Sequence, residues 1–118
     1  MELIEEYRRA ALFMDAGEPA TAARILEPLL EAEPGNCDVR LRLAMAYFGS
    51  AQLGKAEAHL RELVERDPSD HYAHHLLGRT LERQSRPAEA LPHLRLAQAM
   101  GSAPEYAAAA RRVAARIS

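Results

Sequence analysis

Residues 37–70, CDVRLRLAMAYFGSAQLGKAEAHLRELVERDPSD, have the pattern of one complete helix–turn–helix unit. Two runs with helical spacing of apolar residues flank a short turn, and a proline-containing break closes the stretch. Residues of the same kind recur 34 positions to either side, as in the series Leu26, Leu60 and Leu94 and the series Ala22, Ala56 and Ala90. A period of this length predicts a helical repeat array.

The breaks between the apolar runs predict seven helices. Gly17 suits the left-handed end of the first helix, Pro19 suits the first turn of the second, and Asn36 is suited to cap the third. The expected bounds are about 2–15, 19–32, 37–49, 53–66, 71–84, 87–100 and 103–117. We therefore expect one domain over residues 1–118, with repeats at about 3–36, 37–70 and 71–102 and a last helix that caps the third repeat.

Small and large side chains recur at fixed places within each repeat. These places hold Leu43, Ala44, Tyr47, Ala56, Leu60 and Pro68 in the middle repeat, and Leu77, Gly78, Leu81, Ala90 and Leu94 in the third. The pattern resembles the tetratricopeptide repeat, which has Trp, Leu, Gly, Tyr, Ala, Phe and Pro in that order. The Trp place holds Arg40 and His74 here, and the first repeat departs from the pattern in its opening half. The resemblance implies an all-α, right-handed α-solenoid of three antiparallel helix pairs with a C-terminal capping helix.

Composition argues against several classes of protein. The net charge of −2 gives no global attraction to nucleic acid or to an anionic membrane. No apolar run reaches the roughly 18 residues that a membrane span needs, and the N-terminal MELIEEYRRA lacks the apolar core of a secretory signal. Cys37 is the one cysteine, which favours a reducing compartment. We expect a cytoplasmic protein, and the excess of Arg over Lys with abundant Ala indicates a GC-rich bacterial genome.

Charge is distributed unevenly along the chain. Residues 1–36 hold eight acids and three Arg, whereas residues 71–118 hold three acids and seven Arg. The chain therefore has an acidic end and a basic end. Solvated helix faces account for such a distribution, and head-to-tail contact between copies of the chain is a second explanation that stays open.

The resemblance also implies where a partner would bind. In tetratricopeptide proteins the first helix of each pair lines a concave groove, and the register places ten candidate residues there: Ile4, Tyr7, Met14, Leu41, Met45, Phe48, Tyr72, His75, Arg79 and Arg83. This predicted groove is apolar and aromatic over two repeats and basic over the third. The alternative is that these side chains form core between repeats or are covered by the C-terminal helix. Met and aromatic side chains on a concave surface suit adaptable binding of an apolar segment.

The predicted function is that of a non-catalytic interaction module, an adaptor or chaperone-like protein that holds a peptide or helix of a protein partner. Self-assembly through the two charged ends is the first alternative. Nucleic-acid binding through the Arg-rich C-terminal third is the second, and the acidic N-terminal third argues against it.

Family members that serve the large heat-shock chaperones bind a C-terminal carboxylate with Lys and Asn. The matching places here hold Tyr7, Ala11, Arg42, Tyr72 and Leu76, which argues against that function.

The sequence predicts no catalytic or cofactor chemistry. It contains no nucleophile elbow, phosphate-binding loop or dinucleotide fingerprint. His71 and His75 are weak metal-ligand candidates because they lie one turn apart, but a zinc site needs a third or fourth ligand nearby. We expect no metal, no cofactor and no enzymatic activity.

Overall fold

The computed structural model describes residues 2–117, and every regular element in that range is a helix. In chain order the helices are α1 (Leu3–Asp15), α2 (Pro19–Ala32), α3 (Cys37–Gly49), α4 (Leu53–Arg66), α5 (His71–Arg83), α6 (Pro87–Met100) and α7 (Pro104–Ile117). The predicted all-α fold is confirmed, and each predicted helix lies within a residue or so of its expected bounds. Within residues 2–117, no helix combines the length and apolarity that crossing a membrane requires.

The chain separates into two compact units, unit 1 up to His59 and unit 2 from Leu60 onwards. The predicted single domain over residues 1–118 stays a prediction. In unit 1, α2 packs against α1 on one side and against α3 on the other. Its buried residues Ala22, Leu26 and Leu29 fall on one helical face, and Ala23 and Leu30 are buried beside them, so α2 has apolar surface for both contacts.

Asparagine and aspartate fix where two helices begin. The side chain of Asn36 accepts a hydrogen bond from the backbone N–H of Val39 at 3.1 Å, and Asp70 accepts one from Ala73 at 3.0 Å. These bonds satisfy backbone donors that have no partner within the first helical turn. The predicted cap at Asn36 is confirmed, and Asp70 repeats it 34 residues later.

The turns inside the helix pairs share one backbone conformation. Gly17, Ala51 and Ser85 have φ values of +78°, +61° and +60°. Glycine adopts this left-handed conformation without strain, whereas a Cβ crowds the neighbouring carbonyl. The same left-handed turn residue therefore occurs in all three helix pairs, although only the first pair has the glycine that this conformation favours.

Replacing Ala51 or Ser85 with glycine is expected to stabilise the protein. Relief of the left-handed strain outweighs the greater freedom of glycine in the unfolded chain, so each change is expected to raise Tm by about 2–4 °C. The matched control is Gly17→Ala, which introduces the same strain into the first turn and is expected to lower Tm. Thermal unfolding followed by circular dichroism measures all three. A lower Tm for both glycine variants would contradict the strain argument.

In unit 2, α5 packs against α6 and α7, and α6 also packs against α7. The crossing of α5 and α6 is close at Gly78. A Cβ added to Gly78 would lie 2.6 Å from Leu94 Cγ and 3.2 Å from the carbonyl oxygen of Ala90. Leu94 is fully buried, so it has little room to move.

The last helix is held on unit 2 by apolar and charged contacts. Tyr106 and Val113 of α7 are buried. Arg112 donates two hydrogen bonds to the carboxylate of Glu82 on α5, at 2.6 and 2.7 Å. This bidentate geometry is the strong form of an arginine–carboxylate pair. The guanidinium accordingly holds the pKa of Glu82 below its usual value.

Candidate partner-binding cleft

Unit 1 contains a cleft of about 220 Å³ between α1 and α3. Its lining consists of Tyr7, Ala10, Ala11, Met14, Asp15, Leu26, Arg42 and Met45. Three of the predicted groove residues, Tyr7, Met14 and Met45, therefore meet at one site. All three are partly exposed, as a surface available to a partner requires.

The sequence of α1 builds this cleft through its helical spacing. Tyr7, Ala11 and Met14 lie at i, i+4 and i+7, so they share one face of the helix. Ala10 is buried beside them, and its small side chain leaves room above the buried Leu26. Met45 supplies the facing wall from α3. The result is an apolar cleft with two flexible thioethers and one aromatic ring.

Arg42 places a positive charge at the edge of the cleft. Its Nε donates a hydrogen bond to the hydroxyl of Tyr7 at 2.9 Å, and its guanidinium carbon lies 6.0 Å from the centre of the Tyr7 ring. Arg42 is exposed, and Asp15 supplies a carboxylate to the same lining. Arg42 was not among the ten candidate residues, although the resemblance puts it at a carboxylate-binding place of the heat-shock type. Its bond to Tyr7, 35 positions away, left no local signal in the sequence.

The other predicted residues of unit 1 lie outside the cleft. Ile4 is 58% exposed and lines a neighbouring depression that also includes Tyr7 and Val39. Leu41 and Phe48 are partly buried and do not belong to the lining of the cleft.

The four predicted residues of unit 2 have different environments. Tyr72 and Arg79 are partly buried, and Arg83 is exposed. His75 departs from the predicted groove because it is only 4% exposed. Its ring centre lies 4.6 Å from that of Tyr106, so α7 covers it. This matches the alternative raised from the sequence, in which the C-terminal helix covers part of the predicted surface.

The environment of His75 favours its neutral form. Burial lowers the pKa of His75, and the positive charge of Arg79 lowers it further, while Glu105 opposes the shift. The buried Nδ1 atom has no hydrogen-bond partner among the described residues. A neutral imidazole tolerates this arrangement far better than an imidazolium would.

The two metal-ligand candidates contact the same tyrosine. His71 Nδ1 lies 2.9 Å from the hydroxyl of Tyr106, whose ring also packs against His75. Within residues 2–117, no group of three or more His, Cys, Asp and Glu side chains has the geometry of a metal site.

A polar cluster in unit 1 was not predicted from the sequence. The buried Tyr47 donates a hydrogen bond to Glu27 at 2.8 Å, and its ring stacks on His59 with centres 5.7 Å apart. Burial raises the pKa of Tyr47 strongly, and the hydrogen bond to Glu27 and the charge of Glu27 add to the effect. Tyr47 therefore acts as a neutral donor. It satisfies the carboxylate and anchors α3 to α2.

These features define a helical repeat protein built from antiparallel helix pairs. The sequence profile of the tetratricopeptide repeat matches residues 13–80. The chain belongs to the tetratricopeptide repeat family. No curated protein matches it.

Solved tetratricopeptide structures are similar in fold. The first tetratricopeptide domain of Spaghetti (RPAP3) bound to the HSP90 peptide SRMEEVD superposes with a TM-score of 0.89 at 16% identity, over 98% of this chain and 92% of that one. The type III secretion translocator chaperone SycD of Yersinia enterocolitica gives a TM-score of 0.80 at 20% identity, over 97% and 79%.

A third similar structure, MamA from Desulfovibrio magneticus RS-1, gives a TM-score of 0.77 at 24% identity. The match covers 84% of this chain but only 56% of the MamA chain, so the present chain spans about half the length of that relative.

Proposed function

We propose that the protein is a non-catalytic interaction module that binds an apolar peptide or helical segment of a protein partner, as an adaptor or chaperone-like protein. The observation that carries this proposal is the cleft of about 220 Å³ lined by Tyr7, Met14 and Met45, with Arg42 at its edge. A cytoplasmic location, the absence of enzymatic activity and the absence of a cofactor are parts of the same proposal.

The chemistry of the cleft suits an apolar side chain of varied shape. Met side chains adapt to irregular surfaces, and the Tyr7 ring adds a rigid wall. Each large apolar anchor contributes about 1.5–3 kcal/mol, from which the cost of association must be subtracted. An occupant with two or three anchors is therefore expected to bind at about micromolar affinity or more weakly.

The structural relatives support a protein partner. Spaghetti is described with a bound HSP90 peptide, and SycD is described as a translocator chaperone. The places that match the carboxylate-binding residues of the heat-shock type hold Tyr7, Ala11, Arg42, Tyr72 and Leu76. Since only Arg42 among them is basic, an internal apolar segment suits this chain better than a free C-terminal carboxylate.

The variant Met45→Glu tests the proposal. It places a carboxylate in the cleft, so we expect loss of partner binding by about tenfold or more, with the helical content kept and Tm within a few degrees of wild type. Affinity capture from lysate of the native host, followed by titration of the recovered partner, measures the change. The control is Leu12→Glu, because Leu12 is 67% exposed on α1 and lies outside the cleft.

The two variants separate the outcomes. A folded Met45→Glu variant that binds as wild type does would contradict the proposal, and so would an equal loss in both variants. An unfolded Met45→Glu variant would show that Met45 is core rather than cleft.

Self-assembly is the second candidate function. The observation that favours it is the charge of the two ends, with eight acids and three Arg in residues 1–36 against three acids and seven Arg in residues 71–118. Head-to-tail contact through these ends would build chains or rings. Exposed charge contacts weaken with ionic strength, so sedimentation at about 0.05 M and 0.5 M salt separates the two functions. Apolar binding in the cleft persists at high salt, whereas an assembly held by charge contacts dissociates there.

A further inference from the structure

The residue at the Trp place of the repeat forms a similar polar bridge in each unit. In unit 1, Arg40 Nη2 donates to the carbonyl oxygen of Pro34 at 3.0 Å, and Arg40 Nη1 lies 2.9 Å from His59 Nδ1. In unit 2, His74 Nε2 lies 2.9 Å from the carbonyl oxygen of Pro68, and His74 Nδ1 lies 3.1 Å from His93 Nδ1. The bridge joins the start of the first helix of a pair to the loop before it and to the second helix.

The hydrogen bonds of unit 2 determine where the protons lie. A carbonyl oxygen only accepts, so His74 must carry its proton on Nε2 to bond with Pro68. In the neutral ring, Nδ1 of His74 is then an acceptor, and His93 must donate from its own Nδ1. The two ring planes lie at 23° to each other with centres 5.3 Å apart, so the two Nδ1 atoms meet edge to edge, and His74 is 5% exposed. The pair is therefore a defined, partly buried hydrogen bond between a buried ring and a half-buried one.

We propose that the His74–His93 pair is an acid-sensitive clasp that holds α5 against α6 and opens when it takes up a second proton. With no added proton, His93 donates to His74. With one added proton, the shared bond survives, since one ring remains able to accept. With two, both Nδ1 atoms are donors, and two cations face each other across 3.1 Å.

The surrounding charges do not relieve this repulsion. Arg61 on α4 is the further charge that acts on His93, and it is positive. Glu89, one turn before His93 on α6, accepts hydrogen bonds from Arg86. In the loop before α5, Asp67 accepts from Ser69, and the side chain of Asp70 accepts from the backbone of Ala73.

The pKa of His93 is shifted downwards, as this geometry implies. Burial lowers the pKa of His93 below its ordinary 6.5, and the neighbouring His74 and then Arg61 lower it further. The unfolded chain therefore binds more protons than the folded chain as the pH falls below about 6.5. The stabilisation is fully present above that pH and is lost as the pH falls through the lowered pKa of the folded state.

Nuclear magnetic resonance of the full-length chain tests the clasp without a substitution. At pH 8 we expect the Nε2–H tautomer for His74 and the Nδ1–H tautomer for His93. Between about pH 8 and pH 5 we expect the hydrogen-exchange protection factors of α5 and α6 to fall by about tenfold or more. An Nε2–H tautomer for His93 at pH 8 would overturn the proposal, as would two independent titrations near 6.5 with unchanged protection.

A matched pair of variants isolates the clasp from the other histidines. The double variant His74→Phe/His93→Leu removes both titrating rings and keeps apolar volume, so the acid-induced loss of protection is expected to shrink by about tenfold. The buried His75, whose pKa is also lowered by burial, still contributes to the loss that remains. The control His71→Gln removes an imidazole of the same helix that contacts Tyr106 and not His93, and it is expected to retain the full loss. Equal pH dependence in wild type and the double variant would overturn the clasp.

Discussion

Replacing Gly78 with alanine is expected to destabilise the protein by about 1–3 kcal/mol, although alanine favours a helix by about 1 kcal/mol over glycine. The added Cβ would lie 2.6 Å from Leu94 Cγ and 3.2 Å from the carbonyl oxygen of Ala90. Leu94 is fully buried, so it can escape only by moving α6 or by adopting an unfavourable rotamer. Overpacking therefore outweighs the gain in helix propensity. Urea unfolding monitored by circular dichroism measures the free energy of unfolding.

A double-mutant cycle tests the cause of this destabilisation. Leu94→Ala alone is expected to cost about 2–5 kcal/mol, because it leaves a cavity. In the double variant, the Cβ at Gly78 meets no Leu94 side chain, so the combined cost is expected to be less than the sum of the two single costs by about 1 kcal/mol or more. Additive costs, or a Gly78→Ala variant more stable than wild type, would show that the helix crossing has room for a methyl group.

Replacing Tyr106 with alanine is expected to cost about 3–5 kcal/mol. Tyr106 is 3% exposed, its ring packs on His75, and its hydroxyl lies 2.9 Å from His71 Nδ1. These contacts hold the start of α7 on α5. Their loss removes the ring that packs on His75 and the bond to His71, while the pair of Arg112 and Glu82 remains.

The control for this prediction is Tyr106→Phe, which keeps the ring and removes the hydroxyl. It is expected to cost only about 1 kcal/mol, the usual contribution of one hydrogen bond. Urea unfolding measures both variants, and limited trypsin digestion at Arg111 and Arg116 reports whether α7 has separated locally. If Tyr106→Ala costs under about 1 kcal/mol and leaves α7 protected, the tyrosine does not anchor the helix.

Most of the fold follows from signals that are local in the sequence. The 34-residue period and the breaks at Gly17, Pro19 and Asn36 predicted seven helices whose bounds the structure reproduces closely. Each break has its own chemistry: a left-handed residue, a proline in the first turn, or a side chain that caps the backbone. Such signals act within one or two helical turns, so they can be read without knowledge of the tertiary structure.

The site was less predictable because it depends on contacts between distant residues. Helical register put Tyr7, Met14 and Met45 on one surface, and all three line the cleft. It had no means of showing that Arg42 bonds to Tyr7, or that α7 would cover His75. It also treated Arg40 and His74 as departures from the Trp of the repeat. Both reach the carbonyl of a preceding proline and a histidine on the next helix, and that geometry appears only after folding.

The central claim is that the cleft of unit 1 binds a protein partner, and site-specific photocrosslinking in the native host tests it most directly. A photoreactive phenylalanine analogue replaces Met45 in one variant and the exposed Leu12 in a matched control. We predict a defined protein adduct from position 45 that is absent from position 12 and is suppressed when Tyr7 is changed to Glu in the same chain. No adduct from position 45, or the same adduct from both positions, would contradict the claim.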